Sequence, residues 1–153
     1  MTEEEIADLL HFLSEHYPRL VGIAFMAAYY GLRRSEILGL KWSAIDFQKD
    51  ILHIQHTVTS VKQIHAEDSA KTVAGKRDLV LFETARKCLL QIRQEQEVNK
   101  AFFKNAYKNT AGYVFTWEDG TLYRPDHIYH LFRKAMIKFG RPEISLATAD
   151  LFD

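Results

Sequence analysis

One cysteine, Cys88, stands among 153 residues, so no internal disulfide framework can staple this chain and apolar side chains must hold it together. Net charge is also missing: twenty Lys and Arg face twenty Asp and Glu, which weighs against a protein that coats nucleic acid through bulk electrostatics alone. The longest apolar run, Leu20 to Tyr30, is interrupted by Gly22 and falls short of the roughly 20 residues a bilayer-spanning helix needs. It reads as a buried helix instead. With no charged-then-apolar signal segment before Thr2, the expectation is a cytoplasmic protein that does not engage a membrane. Against these absences, 47% hydrophobic and 26% charged residues predict one soluble globular domain over 1–153.

The three prolines fall at predicted helix boundaries. Thr2-Glu3-Glu4-Glu5 has the spacing of a capping box, and Ile6, Leu9, Leu10 and Leu13 follow at the period of an amphipathic helix. Pro18 suits the first turn of a second helix, whose Leu20 to Ala28 stretch leaves hardly any polar face, as a central core helix should. At Ile45 the period changes. Ile45-Asp46-Phe47, a Gln48-Lys49-Asp50 turn and Ile51 to Val58 read as two strands of a hairpin, and a polar turn from Lys71 through Gly75 leads into a third strand ending at Leu81. A helix resumes at Glu83 with Ala85, Cys88, Leu89 and Ile92 on one face, which makes Cys88 a core residue rather than a nucleophile. Beyond a polar loop from Asn105 to Gly112, Tyr113 to Thr116 and an Asp119-Gly120 turn, Arg124-Pro125-Asp126 opens a last helix, stopped by Gly140 and Pro142. The predicted fold class is α+β: mainly helical, with a small three-stranded antiparallel sheet.

Charge is unevenly distributed. Residues 1–30 carry Glu3, Glu4, Glu5, Asp8 and Glu15 against Arg19, whereas residues 31–77 carry eight Lys and Arg against five Asp and Glu. Gly31 sits where the second helix needs a residue tolerant of positive φ, and Ser35 and Glu36 suit the first turn of a new helix. Arg33 and Arg34 cannot both follow the apolar Ile37, Leu38 and Leu40 inward, so at least one guanidinium must meet a carboxylate, solvent or an anion. Glu36 is the nearest carboxylate. Two solvated arginines on a short surface helix would be the plainer account. His127 and His130, at i and i+3, lack the further ligands a metal site requires and read as surface residues. Phe103 to Lys108 interleaves aromatic and basic residues that could stack on bases, although such aromatics more often close a core.

The stretch from Tyr29 through Asp46, YYGLRRSEILGLKWSAID, resembles the first arginine box of tyrosine recombinases, the phage and transposon integrases. A second likeness is the K-T-x-x-S-x-R turn of that family, whose lysine and arginine positions are filled by Lys71 and Arg77, with Gly75 in place of the serine. The resemblance implies a catalytic set of Arg33, Lys71 and Glu36. In that chemistry a tyrosine attacks a DNA phosphodiester, arginines stabilise the charge of the transition state, and a lysine protonates the departing 5′ oxygen; Glu36 would orient the arginine. It further implies flanking phosphate contacts from Arg34, Lys76 and Arg77, double-stranded DNA as partner, self-association in a recombination synapse, no metal or other cofactor, and no small-molecule substrate.

Where the family's H-x-x-R box would follow Ile144, the sequence reads SLATADLFD, and none of the seven tyrosines follows such a box. The resulting expectation is a partial catalytic domain, lacking the N-terminal DNA-clamping domain and the nucleophile segment, and inactive alone. Two other readings stand beside it. One is a non-catalytic remnant that binds DNA or protein; the other is an unrelated helical regulator whose recognition helix begins at Arg33, disfavoured by the apolar character of Ile37, Leu38 and Leu40.

Overall fold

The computed structural model describes residues 1–60, 64–68 and 76–146, with side chains placed outside 59–75. Helix α1 (Glu3–His16) starts as its capping box predicts: the Thr2 hydroxyl accepts the Glu5 amide at 3.1 Å and the Glu5 carboxylate accepts the Thr2 amide at 2.7 Å. A 3-10 turn at Pro18–Leu20 leads into α2 (Val21–Tyr30), whose Ile23, Ala24 and Met26 are wholly buried. Gly31 closes α2 at φ 63, a left-handed conformation that costs a side-chain-bearing residue about 1 kcal/mol. The chain then enters α3 (Arg34–Leu38), a helix of five residues.

Three short antiparallel strands follow, β1 (Ile45–Asp46), β2 (Ile51–Ile54) and, later, β5 (Arg77–Val80), with β2 in the centre. The β1–β2 turn closes on the Asp46 carboxylate, which accepts the amides of Gln48 and Lys49, while Asp50 takes φ 56. Between β2 and β5 lies a separate hairpin, β3 (His56–Ser60) with β4 (Ile64–Asp68).

This hairpin revises the expected strand from Ile51 to Val58, which divides at Gln55 into strands of two different sheets. Leu52, Ile54 and Val58 are all buried, so inward alternation runs on through the break. Side-chain period records which face is inward and carries no information about hydrogen-bond partners. Strand β4, with Ile64 as its one β-branched residue, offered little strand propensity and was not expected.

Helix α4 (Glu83–Phe103) and helix α5 (Pro125–Phe139) complete the fold. Proline opens α5, and Gly140 at φ 87 ends it. Its stripe of Ile128, Phe132, Ala135 and Met136 is buried together with Leu9 and Leu13 of α1 in the one core that also takes α2, α3 and β2. Cys88 is half-buried against that core. Burial, aided by the charge of Glu95, pushes its thiol pKa up, which disfavours the thiolate a nucleophile would need. Among the described residues no helix is long and apolar enough to cross a membrane.

Candidate functional site

Arg33 caps α3 in an extended conformation, φ −71 and ψ 153, so its backbone lies outside the helix and its side chain is exposed. What holds it there is Glu36, three residues on. The Arg33 amide donates to Glu36 Oε1 at 3.0 Å. The same carboxylate takes a second donor from far along the chain: Arg77, the first residue of β5, donates from Nη1 to Oε2 at 2.7 Å and from Nη2 to Oε1 at 3.1 Å. This is the two-pronged geometry in which guanidinium and carboxylate bind best.

Among the described residues Glu36 is the one charged side chain that is buried, 5% exposed. Burial on its own pushes its pKa up. The Arg77 fork, the Arg33 amide and the positive charges of Arg77 and Arg33 outweigh that, so Glu36 titrates below the usual carboxylate range and is charged at neutral pH. The expected partner for Glu36 was the Arg33 guanidinium. The carboxylate instead holds the backbone of Arg33 and the side chain of Arg77, and the Arg33 side chain is exposed.

A second tether joins the same elements. The Tyr30 hydroxyl donates to the Val80 carbonyl at 2.9 Å and accepts the Phe82 amide at 3.3 Å, with the two rings stacked 4.7 Å apart. Strand β5 is thus attached to the α2–α3 junction at both ends. The far side of α3 rests on β3. A Cβ built on Gly39 would lie 2.4 Å from the His56 carbonyl oxygen, so only glycine permits so close an approach of the two backbones.

The exit from the box is fixed by Trp42 and by Gln96 of α4, a residue the sequence did not single out. Trp42 Nε1 donates to Gln96 Oε1 at 2.8 Å, and Gln96 Nε2 donates to the carbonyls of Tyr113 and Val114 at 3.0 and 2.7 Å. One amide group therefore ties the box, α4 and the 113–116 segment together. The sequence offered only a glutamine within the helix predicted from Glu83, a weak signal without its partners in view.

Arg34 is half-buried, its guanidinium 5.6 Å over the ring of Tyr129 on α5. Arg133, one helical turn beyond Tyr129 and exposed, continues that side of α5, so a run of cationic side chains extends from α3 onto α5. Lys76 is exposed beside the start of β5. Lys71 lies outside the described residues, as does its expected approach to Arg33. His127 and His130 are exposed on α5, and the five-residue α3, buried from Glu36 to Leu38, has no free face for reading DNA bases.

Comparison with known proteins gives one family. The model of the phage integrase family matches residues 1–142. A curated relative, a XerC-like tyrosine recombinase of Caldanaerobacter subterraneus subsp. tengcongensis, is 30% identical over 152 residues, covering 92% of this chain and 38% of its own length. The Tn1549 transposon integrase, solved in complex with transposon right end DNA, superposes with a TM-score of 0.76 at 17% identity over 99% of this chain and 48% of that one. The XerA recombinase gives 0.58 at 21% identity over 92% and 43%. The chain spans well under half the length of the curated relative it matches. A family match across nearly all of the chain, on a fold shared with integrases and a recombinase, shows that this chain belongs to the phage integrase family of tyrosine recombinases.

Proposed function

We propose that this chain is part of a catalytic domain that breaks and rejoins double-stranded DNA by phosphodiester transesterification, as in DNA integration or site-specific recombination, and that Arg33 binds the scissile phosphate. The observation that carries this reading is the exposed side chain of Arg33 on a backbone anchored to a buried, ionised Glu36. Such an arginine can meet two phosphate oxygens at once without reorganising, which is what stabilising a phosphorane-like transition state demands. Lys71 is assigned as the general acid that protonates the departing 5′ oxygen, since a flexible ammonium can lose and regain a proton. Arg34 and Lys76 supply flanking phosphate contacts that set register without reading sequence.

The one H-x-x-R spacing within residues 1–153, His130 to Arg133, lies inside α5 with no tyrosine after it, and Ile144 is followed by SLATADLFD, so the attacking tyrosine and second arginine of the family chemistry are not assigned to these residues. The complete reaction is therefore assigned to a protein that contains this chain, working in the cytoplasm on a mobile element or prophage, without metal or nucleotide cofactor, and assembled with other copies in a synapse.

The test is duplex binding by the 153-residue chain at rising salt. With contacts from Arg33, Arg34, Lys71 and Lys76, the slope of log K against log salt should be about −3 to −4, and Arg33→Gln should reduce it by about 0.9. Binding that ignores salt, or that Arg33→Gln leaves unchanged, would remove Arg33 from the phosphate.

A further inference from the structure

We propose that Arg77 is a positioning residue for Arg33 rather than a phosphate ligand: its fork on Glu36 locks the backbone of the exposed arginine to the strand that emerges from the segment bearing Lys71. This rests on the reading of Arg33 as the phosphate-binding residue.

The geometry of one carboxylate makes the argument. Glu36 Oε1 accepts from both the Arg33 amide and Arg77 Nη2, while Oε2 accepts Arg77 Nη1. The fork therefore fixes the plane of the carboxylate, and that plane fixes where the Arg33 amide must lie. Glutamate could hold the amide with one oxygen and still turn about its last bond; two prongs from Arg77 remove that freedom.

Charge points the same way. A guanidinium in contact with a carboxylate presents a nearly neutral pair to a phosphate, so Arg77 adds little attraction for DNA where it stands. Arg33 hydrogen-bonds Glu36 through its amide alone, and its side chain is exposed. Two arginines thus share one carboxylate with opposite consequences, one spent internally and one left for a ligand.

The connection is also braced independently. Tyr30 binds the carbonyl of Val80 and the amide of Phe82, so β5 is held at its last residue as Arg77 holds it at its first. The two tethers leave the chain at Tyr30 and Glu36, on either side of Arg33. Hydrogen bonds from β5 to β2 run the length of the strand, so the frame that bears on Arg33 includes the sheet.

Two measurements on the 153-residue chain test this. In DNA binding against salt, Arg77→Gln should keep the wild-type slope, whereas Glu36→Gln should release the fork and steepen the slope by up to about 0.9. A loss of about 0.9 in Arg77→Gln, equal to that of Arg33→Gln, would make Arg77 a phosphate ligand and overturn the assignment. The second measurement uses no DNA. Amide hydrogen exchange at Arg33 should quicken about tenfold in Arg77→Gln, with core amides such as Ile23 unchanged, and Arg77→Lys should restore part of the protection because it returns the charge but not the fork. Unchanged Arg33 exchange in a folded Arg77→Gln protein would refute the positioning role. If that variant does not fold, the double variant Glu36→Gln with Arg77→Gln removes the uncompensated charge while keeping an acceptor for the amide, and Arg33 exchange at the wild-type rate there would refute it equally. Absent DNA binding in every variant would count against the phosphate role of Arg33 and leave the exchange measurement to decide the tether.

Discussion

The α2–α3–β5 junction and the outer half of α4 are organised on opposite principles. At the junction, one buried carboxylate and one tyrosine hydroxyl bind residues distant in the chain, and the cost of burying charge is offset only by complete pairing. Along α4, 21 residues long, only Ala85 and Leu89 are buried, and Val98 and Phe102 are 60% and 77% exposed. Its polar anchors are Arg86, on the Phe47 carbonyl and Asp50, and Gln96, on Trp42 and the 113–116 segment. The junction sacrifices tolerance to hold one side chain in place; the outer helix is tolerant because little depends on its neighbours.

The comparison breaks most visibly at Arg77. Arg77→Ala leaves Glu36 charged and buried without its fork, and should cost about 3 kcal/mol in urea unfolding. Acid should narrow that difference. Glu36 has its pKa lowered on folding, so its contribution is complete above the unfolded-state value, about 4.3, and is lost as pH falls through the lower folded value. The wild type and Arg77→Ala should therefore converge in stability as the pH falls below the unfolded-state value and through the lower folded one. Next in size, Gly39→Ala forces a Cβ against the His56 carbonyl and should cost about 2 kcal/mol, measurable as a lowered midpoint with the same denaturant slope. Tyr30→Phe removes the hydroxyl tether but keeps the stacked ring, for about 1 kcal/mol. At the other extreme, Phe102→Ser should change stability by no more than about 0.5 kcal/mol. A large loss there would show that the outer helix carries structure in its own right.

Activity sharpens the same contrast. The 153-residue chain, incubated with nicked suicide duplexes, should give no denaturation-resistant protein–DNA band, since no tyrosine in it follows an H-x-x-R box. A band abolished by changing one of its own tyrosines to phenylalanine would place the nucleophile within these residues.

How much of this was legible in the sequence divides by distance along the chain. The capping box at Thr2, the left-handed turn at Gly31, the proline start of α5 and its glycine stop were all readable, because each is a local bargain among residues within one helical turn. The box itself was readable as a string in register. Glu36 was identified, but its strongest partner was not, because Arg77 is 41 residues away and Arg33 stood nearer in sequence. The break at Gln55 and the Gln96 network escaped for the same reason: hydrogen-bond partners are chosen in space, while the periods of helix and strand report only inside and outside.

The sequence by itself therefore determined the class of fold, the ends of most helices and the presence of an arginine that must face something other than the core. Tertiary structure alone decided which arginine side chain would pair with Glu36. A buried carboxylate accepts whichever donors arrive with the better geometry, and here the backbone of one arginine and the fork of the other arrive together, which leaves the Arg33 side chain exposed.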